Sequence, residues 1–208
     1  MPNLIKPHFI FLDEKTSEPI DGEKILKKLE RCGRICYKSE KKITSDSARK
    51  FVNSIIKSGH ESVIEHVSIT VIVICDRGVS HEIVRHRIAS YSQESTRYCD
   101  YTKQGTITVI EPFFFEQGSE KWEIWAKTML VCEKAYNELR VLGATPQEAR
   151  SVLPNSLKTE IAITYNLREW RHFFKLRCSP RAHPQMREIT IPLMKEFQKK
   201  IPIIFDDL

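Results

Sequence analysis

The chain has 208 residues, with 33 Lys and Arg against 27 Asp and Glu, giving a formal charge of +6. Hydrophobic residues at 41% and charged residues at 29% exclude a disordered chain and describe a globular protein, expected as a single domain over 1–208. No apolar run approaches the roughly 18 residues of a membrane helix, and the N-terminus does not read as a signal peptide. The six cysteines include no CxxC pair and are expected as reduced thiols of a cytoplasmic protein.

His8 to Leu12 has the apolar content of a first or edge strand. Asp21 precedes a helix expected over Gly22 to Tyr37, with Ile25, Leu26, Leu29 and Ile35 as apolar positions. Ala48, Phe51, Val52, Ile55 and Ile56 follow the i, i+3, i+4, i+7, i+8 stripe of a second helix. Ser45 or Ser47 could cap its start, and Gly59 stands where a terminating glycine belongs. Val67 to Cys75 is β-branched and apolar, which predicts a central strand. Asp76-Arg77-Gly78 ends it, and His81 to Arg87 fits a helix on which Glu82, Arg85 and His86 share a face.

Ala89 to Gln104 has no period and reads as a loop, and Thr106 to Ile110 as a short strand. Ser119 caps a long helix running to about Leu142 and stopped by Gly143. Thr145-Pro146-Gln147-Glu148 is a capping box with Pro at the first helical position. Lys158 to Tyr165 alternates as a strand, a helix opens at Asn166 or Leu167 and runs through Arg177, and a last helix covers about Pro184 to Lys200. The pattern is that of an α+β protein.

The seven glycines stand at least eleven positions apart, so neither a Rossmann fingerprint nor a P-loop can be written. A phosphate bound here must be held by side chains, most readily by arginine forks. Two segments supply them. Arg85-His86-Arg87 is followed by Ser90, Tyr91, Ser92, Gln93, Glu94, Ser95, Thr96 and Arg97; the plainer reading is a solvated basic helix end. Arg168, Arg171, His172, Arg177 and Arg181 are interleaved with Trp170, Phe173 and Phe174, and the aromatics have the spacing of a core stripe. Arg150 stands alone among apolar residues and calls for an acidic partner or an anion.

Two other functions compete on composition. The positive charge interleaved with aromatics would suit a nucleic-acid-binding module, but no RNA- or DNA-binding signature accompanies it. His60, Glu61, Glu65, His66, His81 and His86 could be drafted as a metal site, but the offsets are not those of HExxH, and no metal is expected.

Arg85-His86-Arg87, seven residues, then Ser95 matches the RHRx7S signature, and the longer string RHRIASYSQESTRY resembles the flavin-dependent thymidylate synthases. Ser58 to Ser62 with Glu65-His66, Glu148 to Pro154, Asn166-Leu167-Arg168 and Leu176-Arg177 fit the same family in order, over roughly residues 20 to 200. The resemblance implies that family's fold, an α+β domain with a mixed or antiparallel sheet flanked by helices. It implies an enzyme that makes dTMP from dUMP, taking a methylene from 5,10-methylenetetrahydrofolate and a hydride from FAD reduced by NADPH, with no cysteine nucleophile.

By position, the family pattern puts His60, Ser62, Arg85, His86 and Arg87 at the FAD site, with Asn166, Leu167, Arg168 and His172 closing it and Gln93 between flavin and nucleotide. It puts Glu82, Ile83, Val84 and Arg85, then Gln93, Glu94, Ser95, Thr96 and Arg97, with Arg150 and Arg177, at the dUMP site. Arg177 is the catalytic candidate, a fixed cation at the uracil ring edge. The resemblance also implies a homotetramer with active sites at subunit interfaces, and neither nucleic acid nor membrane as a partner.

Overall fold

The computed structural model describes residues 2–16 and 19–208. Its elements in chain order are β1 (Asn3–Ile5), β2 (His8–Phe11), α1 (Asp13–Thr16), α2 (Gly22–Ile35), α3 (Ser47–Lys57), β3 (Ser68–Asp76) and α4 (Arg77–Ile83). They continue with β4 (Ser90–Gln93), β5 (Thr108–Ile110), α5 (Glu120–Val141), α6 (Pro146–Ala149), β6 (Lys158–Asn166), α7 (Leu167–Arg177) and α8 (Pro184–Lys200). This is an α+β fold, as expected. β1 pairs in parallel with β5, and a four-stranded sheet runs in the order β2-β3-β6-β4.

The chain divides into two compact units built from interleaved segments. The first holds Met1–His8, Val73–Arg85 and Ser92–Ile161; the second holds Phe9–Ile72, His86–Tyr91 and Ala162–Leu208. The first unit's core gathers Ile107, Val109, Met129, Tyr136 and Leu157, with Trp125 and Leu139 packed against it. The second is centred on Trp170, fully buried, whose ring packs against Tyr165, Phe173, Phe174 and Phe197 at 4.6–5.6 Å between centroids. The stripe at 170, 173 and 174 is therefore core, and the burial of such rings is the main favourable term holding the unit together.

Local cap chemistry sets most helix ends. Asp21 Oδ1 accepts from the Lys24 amide at 3.0 Å, Ser119 Oγ from Trp122 at 3.3 Å, and Asn166 Oδ1 from Glu169 at 2.9 Å. The Glu148 carboxylate accepts from the Thr145 amide at 2.7 Å, the return half of a capping box. Gly59, at φ +70°, follows the C-cap of α3. Its amide and that of His60 reach back to the Ile56 and Ile55 carbonyls, a Schellman ending that delivers His60 and Glu61 beyond the helix.

Three expectations are corrected. The residue capping α3 is Asp46, and Ser47 Oγ instead accepts from the Thr44 amide and donates to Glu30. The helix expected over His81 to Arg87 begins at Arg77, because the Asp76 carboxylate accepts from the Val79 amide at 2.7 Å, and it ends at Ile83. Glu82, Arg85 and His86 therefore do not form a helix face. The stretch expected as a loop over Ala89 to Gln104 contains β4, a polar strand at the end of the sheet order, and a 3-10 turn at Tyr101–Gln104. An edge strand needs no apolar run, because its side chains are only half covered.

Candidate active site

In the second unit the two faces of α7 do different work. Arg171 is buried and ion-paired, its guanidinium bidentate to Asp207 at 2.6 and 2.7 Å and its Nε donating to Glu61 at 3.0 Å. These partners make it a structural tie between α7, the Glu61–His66 turn and the C-terminal segment, although the sequence offered it as a functional cation. Arg168 is half exposed and donates to Glu65 at 2.6 Å.

On another face of α7, Glu169 Oε1 lies 2.7 Å from His86 Nδ1, and Arg177 Nε lies 3.2 Å from His86 Nε2. The His86 ring is buried, with Phe173 at 5.0 Å and His172 at 5.4 Å between centroids. Tyr91 Oη donates to the His86 carbonyl at 2.6 Å and lies 2.8 Å from Tyr165 Oη. Burial pushes the His86 pKa down; Glu169 opposes this, while Arg177 and His172 push the same way. His86, Glu169 and His172 bring ligand atoms within 4.8 Å of one another, a set that shares only His86 with the metal candidates read from sequence. Both ring nitrogens of His86 already have partners there, so the group works as a hydrogen-bond chain.

A cavity of about 580 Å³ opens in the same unit. Tyr37, Phe51 and Ile55 give it apolar walls, and His60, Glu61, Ser62 and Arg168 supply polar groups. His60 and Ser62 are exposed, each in or beside the 3-10 turn that follows Gly59. Asn166 spends its side-chain oxygen on the cap of α7, and Leu167 is buried with its amide on the Val67 carbonyl at 2.9 Å. Arg87 and His172 are exposed.

In the first unit, Arg150 Nη1 donates to the buried Thr96 at 3.5 Å, and Arg97 Nη2 donates to Gln147 Oε1 at 3.5 Å. Both arginines are exposed, and neither makes an ion pair among the described residues. Among the described residues no carboxylate pairs with Arg150, and its exposed guanidinium is open to solvent or to an anion. Ser95 Oγ accepts from the Arg97 amide at 3.3 Å. Glu94 is tied to Lys158 at 2.9 Å and accepts from Tyr101 Oη at 3.0 Å; Gln93 Nε2 donates to Ser80 at 2.9 Å and Thr159 at 3.2 Å. Ile83 is buried, Val84 and Arg85 are exposed, and the Glu82 carbonyl accepts from the Val84 amide at the end of α4.

A family model described as "Thymidylate synthase complementing protein" matches residues 22–203. A flavin-dependent thymidylate synthase from Geobacter sulfurreducens is 36% identical over 181 residues, covering 84% of this chain and 78% of the relative. One from Pyrococcus abyssi is 36% identical over 78% of this chain and 67% of its own length, and one from Corynebacterium glutamicum is 30% identical over 94% and 83%. The chain belongs to the flavin-dependent thymidylate synthase family.

Around His86, the residues to which the sequence gave no role are Glu169, Tyr91 and Tyr165. The one signal for Glu169 is its place in a row: it stands four residues before Phe173 and eight before Arg177, on one helix face. Among the described residues no helix is long and apolar enough to cross a membrane.

Proposed function

We propose that the protein converts dUMP to dTMP, taking the methylene of 5,10-methylenetetrahydrofolate and a hydride from NADPH-reduced FAD. The observation that carries this reading is the pair Arg97 and Arg150. They reach Gln147 and Thr96 through long hydrogen bonds to neutral groups, and both are exposed, with no carboxylate partner among the described residues. Two such forks suit the dianionic phosphate of a nucleoside monophosphate. Ser95 and Thr96 add hydroxyls, and the Glu82 to Arg85 and Gln93–Glu94 segments are assigned to the same substrate from the family pattern.

The residues present also fit a flavin. The cavity of the second unit joins aromatic and aliphatic walls to the His60 imidazole, the Ser62 hydroxyl and the Arg168 guanidinium, which suits a flat heteroaromatic group linked to phosphates. Arg85, His86, Arg87, Gln93, Asn166, Leu167 and His172 complete the assigned set. When bound and reduced by NADPH, the flavin would supply the hydride, so the folate gives up its one carbon without being oxidised and leaves as tetrahydrofolate.

The work left to the chain is positioning and fixed charge. Arg177 places a permanent cation at the uracil edge, where it favours ionised N3 and makes C5 the electron-rich carbon. The C5 proton is lost in the course of the reaction. Cys75, Cys132 and Cys178 are poor nucleophiles, because burial pushes their thiols up, away from the thiolate form. A homotetramer with sites at its interfaces is part of the reading; the exposed Ile124, Leu130, Val131, Val141 and Leu142 at α5 support an association surface.

The test is direct. Purified protein is expected to be yellow, with an absorption band at roughly 450 nm as flavins have, and to release tritium from C5-labelled dUMP when given NADPH and methylenetetrahydrofolate. Colourless protein that neither takes up FAD nor releases tritium overturns the proposal. Steeply salt-dependent binding of DNA or RNA would point instead to the nucleic-acid reading.

A further inference from the structure

Glu169, Phe173 and Arg177 stand four residues apart on α7, and His86 lies along that row. Its Nδ1 meets the Glu169 carboxylate at 2.7 Å, its ring meets Phe173, and its Nε2 meets Arg177 Nε at 3.2 Å. The Arg177 Nε always carries a hydrogen, so Nε2 must accept. A neutral imidazole has a single N–H, which is then on Nδ1 and donates to Glu169. An imidazolium, or the opposite tautomer, would set N–H against N–H at the Arg177 contact. The helix supports both end charges: Glu169 sits in its first turn and Arg177 in its last.

We infer that Glu169 is a positioning residue, whose carboxylate holds His86 in the Nδ1–H tautomer so that Nε2 accepts from Arg177 Nε and fixes the direction of its guanidinium. The inference rests on the proposed role of Arg177 at the uracil edge. An arginine side chain loses several rotatable bonds' worth of freedom when it is aimed, and a preset Nε contact removes most of that cost before substrate arrives. The burial that pushes the His86 pKa down keeps the ring neutral at neutral pH, which the chain of hydrogen bonds requires. His172, packed against the same ring, is exposed and supplies no bond to either ring nitrogen of His86 in this arrangement.

Two measurements decide it. In uniformly ¹⁵N-histidine-labelled wild-type protein, with His86→Gln used only to assign the signal, the His86 ring is expected to show a protonated Nδ1 and an unprotonated Nε2. The reverse pattern, or an imidazolium at pH 7.5, overturns the inference. Second, Glu169→Gln is expected to keep its flavin absorbance per chain, lower kcat by about 10–100-fold, as carboxylates that orient histidines do elsewhere, and show a mixed His86 tautomer. Glu169→Asp should recover part of the rate.

Unchanged kcat in folded Glu169→Gln overturns the positioning role even where the wild-type tautomer is as expected. If Glu169→Gln does not fold, the wild-type spectrum alone decides. Wild-type protein that releases no tritium from C5-labelled dUMP overturns the proposed reaction instead, while the tautomer measurement still stands.

Discussion

The cations of the two units are held in opposite ways. In the second unit each arginine of α7 already has a partner: Arg168 has Glu65, Arg171 has Asp207 and Glu61, and Arg177 has the His86 ring. In the first unit, among the described residues, the hydrogen-bond partners of Arg97 and Arg150 are neutral and 3.5 Å away. The difference separates an arginine whose position the fold has set from an exposed one that, under the proposed function, would take its counter-charge from the substrate. A phosphate supplies two negative charges and leaves with the product, so its arginines are best left uncommitted. A cation that must meet one edge of a ring gains more from being aimed beforehand.

The largest test of that contrast is Arg177→Ala. Losing a preorganised charge at a reacting centre costs about 10²–10³ in kcat, and the flavin absorbance per chain should be unchanged. Arg177→Lys should recover little, because it keeps the charge but has no Nε–H to meet His86. If Lys restored most of the rate, charge alone would suffice, and the aimed half of the comparison would fail.

The uncommitted half is tested next. Arg150→Ala and Arg97→Ala should each raise the KM for dUMP by tenfold or more, since a hydrogen bond to a charged group contributes about 1.5–3 kcal/mol. Thermal stability should stay within about 0.5 kcal/mol of wild type, as for exposed positions without special contacts. If the two arginines hold one phosphate, the double variant should lose less than the sum of the single losses in free energy. A fall in Tm with unchanged KM would show that these arginines are structural after all.

These contacts also explain what was readable beforehand. The spans of α5, α7 and α8 were legible because Ser119, Gly143, Asn166 and Pro184 act within one turn of their own helix. The core role of Trp170, Phe173 and Phe174 followed from spacing alone. The start of α4 was not legible, since Asp76 looks like the end of an apolar strand until its carboxylate is seen on the Val79 amide. β4 was hidden because hydroxyl side chains carry no apolar alternation. The Glu169–His86 contact joins residues 83 positions apart, and no local pattern announces such a pair. Family resemblance named His86 and Arg177 separately but gave no reason for them to touch.

pH gives a smaller test of the aimed region. His86 has its pKa pushed below the usual 6.5, chiefly by burial, so the unfolded chain binds more protons than the folded one between that value and the folded pKa. Stability should therefore be level above about pH 6.5 and fall as the pH drops below it, in the direction of protonating the ring. Turnover should hold longer and fall only at the lower end of that range, where the folded ring itself takes up a proton, because an imidazolium cannot accept from Arg177. The groups facing the ring are Glu169, Arg177, His172, Tyr91 and Tyr165. Of these, Glu169 resists the fall, and Arg177 and His172 favour the neutral ring. Glu169→Gln should bring the loss of activity to a lower pH, since it removes the acid that stabilises the protonated ring. A profile that moves the other way would mean that Glu169 does not act through His86.

The smallest effect is expected at Arg168. Its side chain is 53% exposed, and its bond to Glu65 is a surface pair, which contributes little to stability. Glu65→Gln should therefore leave Tm nearly unchanged. Its effect on flavin binding is the informative part. If Arg168 turns from Glu65 to a flavin phosphate, removing the carboxylate removes a competitor, and the FAD Kd should fall by a few-fold, with the gain shrinking as salt is raised. If Arg168 stays with Glu65 while flavin is bound, the Kd should rise or stay level, and Arg168 would join Arg171 among the arginines committed to the fold. A titration of apoprotein with FAD at two salt concentrations separates the two outcomes, and so decides whether the second unit also keeps one cation in reserve.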